Sequence, residues 1–222
     1  MKKACAVIPS LLSANFLNLQ KDLDEIHSIG IKKLHYDVMD GHFVNNISFG
    51  EEIFKQIDSP IWDIDVHLMV SNPIKKTRDF IAYGAKKVSF HLEVIDEDFS
   101  KYKKEILNLK KEFPDVKLGL AINPPSDIKK ADRWIDLFDF FLIMSVVPGK
   151  GGQSFIEGSE KKIKYLNDHR IKNHKDYFIE VDGGINDVTG KLCLDNGVDY
   201  LVCGSFFFKS TNKAELIKKI IQ

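Results

Sequence analysis

Cysteine is scarce in this chain of 222 residues. The three present, Cys5, Cys193 and Cys203, are odd in number and none stands at C-x-x-C spacing. That argues against a disulfide framework or a zinc knuckle and fits buried thiols in a reducing cytosol. A surplus of either charge is also missing, since 32 Lys and Arg offset 32 Asp and Glu. The composition gives no sign of the broad basic field that nonspecific nucleic-acid binding needs, and only a local anion site is implied. No apolar run has the length a bilayer requires, so no membrane partner is expected. The opening MKKACAVIPSLL begins like a signal peptide, but Pro9 interrupts it and no small-residue cleavage pattern follows. A soluble, cytoplasmic protein is expected. Linkers and low-complexity tracts are lacking, so one domain over residues 1–222 is expected.

What is present is alternation. Short β-branched or aromatic runs lie near 5–8, 33–37, 64–68, 87–91, 117–122, 140–144, 178–181 and 200–203, separated by segments of helical period. Eight such βα units favour an α/β fold of the closed (β/α)8 (TIM) barrel type over an open sheet. Leu19, Leu23, Ile26 and Ile29 share a helix face before Gly30, Pro73 can start a helix that stops near Gly84, and Ile106, Leu109 and Phe113 give the charged KKEILNLKKEF an apolar stripe. Ser126 or Asp127 can cap a fifth helix, and Asn186 or Asp187 a seventh.

Four metal-binding side chains fall at the ends of these runs: His35 and Asp37 in LHYDVMDG, His67 in IDVHLMV and Asp182 in IEVDGG. His35 and Asp37 are two apart, so on a strand both point the same way, and Met39 continues that face. His67 and Met69 repeat the pattern, and Met144 ends FFLIM. A lone histidine there is more often a hydrogen-bonded core residue; repetition reverses that reading. The N2O2 donor set suits zinc, iron, manganese or cobalt rather than calcium. Barrel enzymes gather catalytic groups where strands end, and Asp37 and Asp182, on well-separated strands, can flank one carbon as base and acid.

The loops add an anion site. VVPGKGGQSF, with Gly149, Lys150, Gly151 and Gly152, lets backbone N–H groups approach an anion closely, where a plain turn needs fewer glycines. Gly183 and Gly184 follow the seventh run and Gly204 and Ser205 the eighth, where many barrels hold a substrate phosphate. His91 and Glu93 alternate at the end of the fourth run and read as support for a ligand histidine or the substrate. Asp40 serves equally as a turn residue, His42 reads as a loop residue, Asn123 shapes the fifth loop, and Phe206–Phe208 read as core or an interface patch.

In family order, IPSLLSANF, HYDVMDGHFV, DVHLMV, HLEV, LGLAINPP, PGKGGQSF, VDGGIN and CGS resemble the ribulose-phosphate 3-epimerases nearly end to end. The resemblance implies a (β/α)8 barrel that interconverts D-ribulose 5-phosphate and D-xylulose 5-phosphate at C3, in the pentose phosphate pathway, through a cis-enediolate. It implies one divalent cation per chain on His35, Asp37, His67 and Asp182, with Asp37 the proton acceptor and Asp182 the donor in one direction. Ser10 and His67 would touch substrate, the glycine loops would line its phosphate, and Met39, Met69 and Met144 would cap the site. A homo-oligomer is expected by the same analogy. The chain departs from the family pattern at Asn45, Val147 and Lys150, which bears on substrate preference and loop closure. The longer D-allulose 6-phosphate is the alternative substrate, and a catalytically silent barrel that binds sugar phosphate is the alternative outside enzymes. A silent relative should have lost one acid–base carboxylate, and both are present.

Overall fold

The computed structural model describes residues 6–57 and 60–221, so Cys5 lies outside the described residues. The apolar runs form eight strands: β1 (Ala6–Pro9), β2 (Lys33–Met39), β3 (Asp63–Met69), β4 (Lys87–His91), β5 (Lys117–Ile122), β6 (Phe140–Met144), β7 (Phe178–Asp182) and β8 (Tyr200–Cys203). They pair in parallel in the order β1-β8-β7-β6-β5-β4-β3-β2, and a parallel bridge from Ser10 to His35 joins the two ends. The result is a (β/α)8 barrel.

Around it lie α1 (Leu19–Ser28), α2 (Glu51–Ile57), α3 (Pro73–Ala82), α4 (Leu92–Ile95), α5 (Phe99–Glu112), α6 (Ser159–Lys172), α7 (Asp187–Asp195), α8 (Ser205–Phe208) and α9 (Lys213–Ile221). The caps follow from residue chemistry. Asn72 accepts from Lys75 N, with Pro73 at the first turn of α3, and Asn186 and Thr189 form a reciprocal capping box on α7. Gly30 and Gly84, at φ +83° and +104°, follow the ends of α1 and α3 as the sequence predicts. The apolar stripes face the barrel: Leu23 and Ile26 of α1, Phe80 of α3 and Ile106 and Leu109 of α5 are buried in one core with Tyr36, Phe54, Phe90 and Trp134.

One expected helix takes another form. Between β5 and β6 the chain makes successive 3-10 turns over Ile128–Leu137, with Asp127 as the cap. Ile128, Ala131, Trp134 and Leu137 recur every three residues, the period at which 3-10 side chains eclipse, and the last three are buried.

Inside the barrel, Gly119 of β5 makes way for Phe140 of β6. A β-carbon at Gly119 would stand 2.2 Å from Phe140 Cζ. The Lys87 ammonium lies 4.3 Å from the centre of that ring and ion-pairs with Glu180 and, at 3.5 Å, with Asp65. This charged layer forms the floor on which the site rests.

Candidate active site

The register of β2 on β3 sets His35 opposite Asp65, Asp37 opposite His67 and Met39 opposite Met69. Because alternate side chains share a face, these pairs form three successive rows inside the barrel. Both strands run on to their methionines, so His35, Asp37 and His67 sit within strands rather than at their ends. Asp182 closes β7 opposite Met144 of β6. One donor atom from each of His35, Asp37, His67 and Asp182 lies within 4.8 Å of the others.

Each histidine is held from behind. His35 Nδ1 is 3.2 Å from Asp65 Oδ2, and His67 Nε2 is 2.9 Å from His91 Nε2. The opposite nitrogens face Asp37 Oδ1, His67 Nδ1 at 3.0 Å and His35 Nε2 at 3.3 Å. His35 Nε2 is buried without a hydrogen-bond partner, a costly condition that a cation among the four donors would relieve. Ser10 Oγ donates to Asp37 Oδ2 at 2.6 Å. Two imidazoles and two carboxylates within this span fit a divalent transition metal.

The carboxylates differ. Burial works to raise Asp37, but the His35 ring outweighs it with His67 adding, so Asp37 stays ionised far below the usual range. Burial followed by repulsion from Asp37 pushes Asp182 up to about 7. Burial opposes a charge on His35, yet Asp37 and then Asp65 hold its pKa above the ordinary value. Burial lowers His67, and it lowers His91 to about 4. Among these charges a divalent cation would displace the His35 proton and relieve the Asp37–Asp182 repulsion.

A cavity opens above the cluster, lined by Ser10, Asp37, Asp182 and all three methionines, Met39, Met69 and Met144. Gly149, Lys150, Gly151 and Gly152, Gly183 and Gly184, and Gly204 and Ser205 complete its wall, so the three glycine loops meet on one side. At Gly184, φ is +63° and a β-carbon would stand 2.3 Å from Phe155 N, so the position requires glycine. His35 and His67 are fully buried and do not line the cavity. The set therefore divides into two histidines behind and two carboxylates in front.

Lys150 lies at the exposed tip of its loop, where its carbonyl accepts from Gln153 Nε2 at 2.8 Å. It also lines an adjoining cavity together with Asn45 and Val147. Asp40 takes the turn role and more: it accepts from His42 N, Phe43 N and both the backbone and the hydroxyl of Ser71, tying the loop after β2 to the one after β3. His42 is exposed in that loop. Phe207 is buried while Phe206 is 37% exposed. Cys193 and Cys203 are both buried and neither is in a disulfide.

Sequence reasoning missed the floor beneath the site. Asp65, Lys87 and Glu180 are buried or nearly so. Burial and then Asp65 raise Glu180 to about 8, against the pull of Lys87. The signal was available: Asp65 precedes His67, and Glu180 precedes Asp182, by two residues within otherwise apolar runs. Leu12 and Ser13 also line the cavity, carried by a short 3-10 turn over Leu11–Ser13 that Ser10 caps.

Among solved structures, 3-keto-L-gulonate-6-phosphate decarboxylase from Vibrio cholerae shares the fold, with a TM-score of 0.70 at 13% identity over 98% of this chain and 97% of that one. Closer in sequence is the chloroplastic ribulose-5-phosphate-3-epimerase of Arabidopsis thaliana, 37% identical over 99% of this chain and 77% of its own. The ribulose-phosphate 3-epimerase of Bacillus subtilis is 36% identical over 96% of this chain and 97% of its own. The family's sequence model matches residues 6–208, and with the His35, Asp37, His67 and Asp182 cluster in place, the chain belongs to the ribulose-phosphate 3-epimerase family.

Proposed function

We propose that this chain interconverts D-ribulose 5-phosphate and D-xylulose 5-phosphate by moving a proton at C3. The observation that carries the reading is the division of the cluster: Asp37 and Asp182 line the cavity, while His35 and His67 stand buried behind them. The two carboxylates come from β2 and β7, which β1 and β8 separate around the barrel. They can therefore address opposite faces of one carbon.

In one direction the Asp37 carboxylate takes the C3 proton, and the C–H electron pair moves into a C2–C3 double bond as charge reaches the C2 oxygen. Asp182 then delivers a proton to the other face of C3 and the carbonyl reforms, so configuration inverts without redox change. The reverse reaction exchanges the two roles. Ser10, donating to Asp37 Oδ2, holds the carboxylate in place. Met39, Met69 and Met144 cover the reacting carbons with soft apolar surface that excludes water. The amides of the glycine loops and Ser205 hold the phosphate. A divalent cation of the zinc, iron, manganese or cobalt kind, held by the four donors, would supply Lewis-acid stabilisation of the substrate oxygens.

We take the barrel to act as a single domain, in the cytoplasm and as a homo-oligomer. No helix among the described residues is long and apolar enough to cross a membrane, and the exposed side chains of Leu17, Ile47 and Val188 offer apolar surface to a second copy.

The test is a coupled assay on D-ribulose 5-phosphate and D-allulose 6-phosphate side by side, with Asp37→Asn and Asp182→Asn as variants. The pentulose should be preferred, and each variant should lose at least about a hundredfold in turnover, the usual size of a general acid–base contribution. Metal content is measured alongside. Near-normal turnover in a metal-replete variant would sink the two-carboxylate scheme, and preference for the hexulose would move the substrate to the longer ketose.

A further inference from the structure

His67 and His91 face each other Nε2 to Nε2 at 2.9 Å, with both rings buried. Two neutral imidazoles meeting this way share one hydrogen, so one ring donates and the other accepts. Beyond them the contacts continue, His91 Nδ1 lying 3.2 Å from Glu93 Oε2 and His67 Nδ1 lying 3.0 Å from Asp37 Oδ1. The row from Asp37 through His67 and His91 to Glu93 thus has three contacts, each needing a hydrogen, while two neutral rings bring one each. It is one hydrogen short. A cation between His67 Nδ1 and Asp37 Oδ1 makes up the deficit, because it needs lone pairs from both.

Glu93 decides where the two hydrogens go. Its Oε1 accepts from Asn123 N at 3.0 Å and from Ser126 Oγ, which leaves Oε2 to His91. A carboxylate only accepts, so His91 must carry its hydrogen on Nδ1. Its Nε2 is then a lone pair, and the shared hydrogen belongs to His67 Nε2. We propose that Glu93 and His91 are positioning residues that lock His67 as its Nε2–H tautomer and so aim the Nδ1 lone pair at the cation, on the reading above that His67 is a metal ligand.

The geometry singles out one isosteric change. In Glu93→Gln the backbone N–H of Asn123 still demands an acceptor, so the amide oxygen stays at the Oε1 position and the NH2 group turns to His91 Nδ1. His91 must then accept there and move its hydrogen to Nε2, and His67 must accept in turn and place its own hydrogen on Nδ1, facing the metal. A single change of oxygen to nitrogen flips two tautomers in series.

The experiment uses zinc as the diamagnetic probe and long-range proton–nitrogen NMR of the histidine rings, with zinc affinity from competition against a chromogenic chelator. Zinc-loaded wild-type protein should show His67 protonated at Nε2 and His91 at Nδ1. Glu93→Gln should bind zinc about 10–100-fold more weakly, the usual cost of removing a partner of a ligand histidine, and should exchange both assignments in the metal-free protein. Ser126→Ala trims the same loop without removing the acceptor and should keep zinc affinity within about twofold. Zinc-loaded wild type with His67 protonated at Nδ1 would overturn the relay, as would wild-type zinc affinity in Glu93→Gln or an equal loss in Ser126→Ala. Failure of the wild type to take up zinc would overturn the metal site itself, which separates the two readings.

Discussion

Asp40 shows how one carboxylate can stiffen the rim of a barrel without touching its chemistry. Burial works to raise its pKa, but four hydrogen bonds led by Ser71 N, with Phe43 N, His42 N and the Ser71 hydroxyl, bring it down to about 2. A folded-state pKa below the unfolded value gives stability that is present above about pH 4 and disappears as pH falls toward 2. Asp40→Asn should therefore destabilise the protein near pH 7 by about 1–2 kcal/mol, after allowance for its partial solvent exposure, and by much less near pH 2.5. Urea titrations at the two pH values check this, and an equal loss at both would show that the carboxylate's charge is not the source. The motif HYDVMDGHF made Asp40 readable as a turn residue. That it also reaches Ser71, on the next loop, could not be read, because the pairing spans two βα units.

At the scale of elements, legibility followed local pattern. β4, β5, β6 and β8 begin and end where their apolar runs do. β2 runs two residues further than its run suggests and β3 one further at each end, because Met39 and Met69 pack with Val44, Leu12 and Phe43 of the covering loops while Val38 joins the main core, and a single strand does not reveal that cover. The four donors were legible because strand alternation fixes their face; the rows behind them needed the register, which pairs His35 with Asp65. The 3-10 segment differs from the expected helix because a cap serves both forms, and only the strict three-residue repeat of apolar residues separates them. Gly119 leaves no room for a side chain in β5. Gly119→Ala would drive a methyl into the Phe140 ring, and overpacking of this kind typically costs about 1–3 kcal/mol. The double change Gly119→Ala with Phe140→Leu should recover part of the loss, because the smaller side chain vacates the contact. Chemical denaturation of the three variants would show it, and additive losses would mean that ring and methyl do not meet.

For the whole molecule, a cation in the proposed site would act as a fastening as well as a centre of chemistry. β2 and β3 pair along their length, whereas among the described residues β1 meets β2 through the single Ser10–His35 bridge, so there the seam between first and second strands is thin. Asp182 stands on β7, on the far side of that seam. A cation held jointly by His35, Asp37, His67 and Asp182 would clamp the seam shut, and Ser10, donating to Asp37, lies directly on it. Binding to the folded state alone stabilises by about 2.7 kcal/mol at a hundredfold excess over Kd. For a chain of this length that is about 5–10 °C in Tm. Chelation should thus lower the Tm of the metal-loaded protein by that amount, and readdition of the metal should restore it. His67→Ala, which removes one donor, should melt at a temperature that chelator no longer changes. If chelation stripped the metal and left the melting temperature of the intact protein where it was, the cation would bind the unfolded chain as well as the folded one, and the seam would be held by the barrel's own packing.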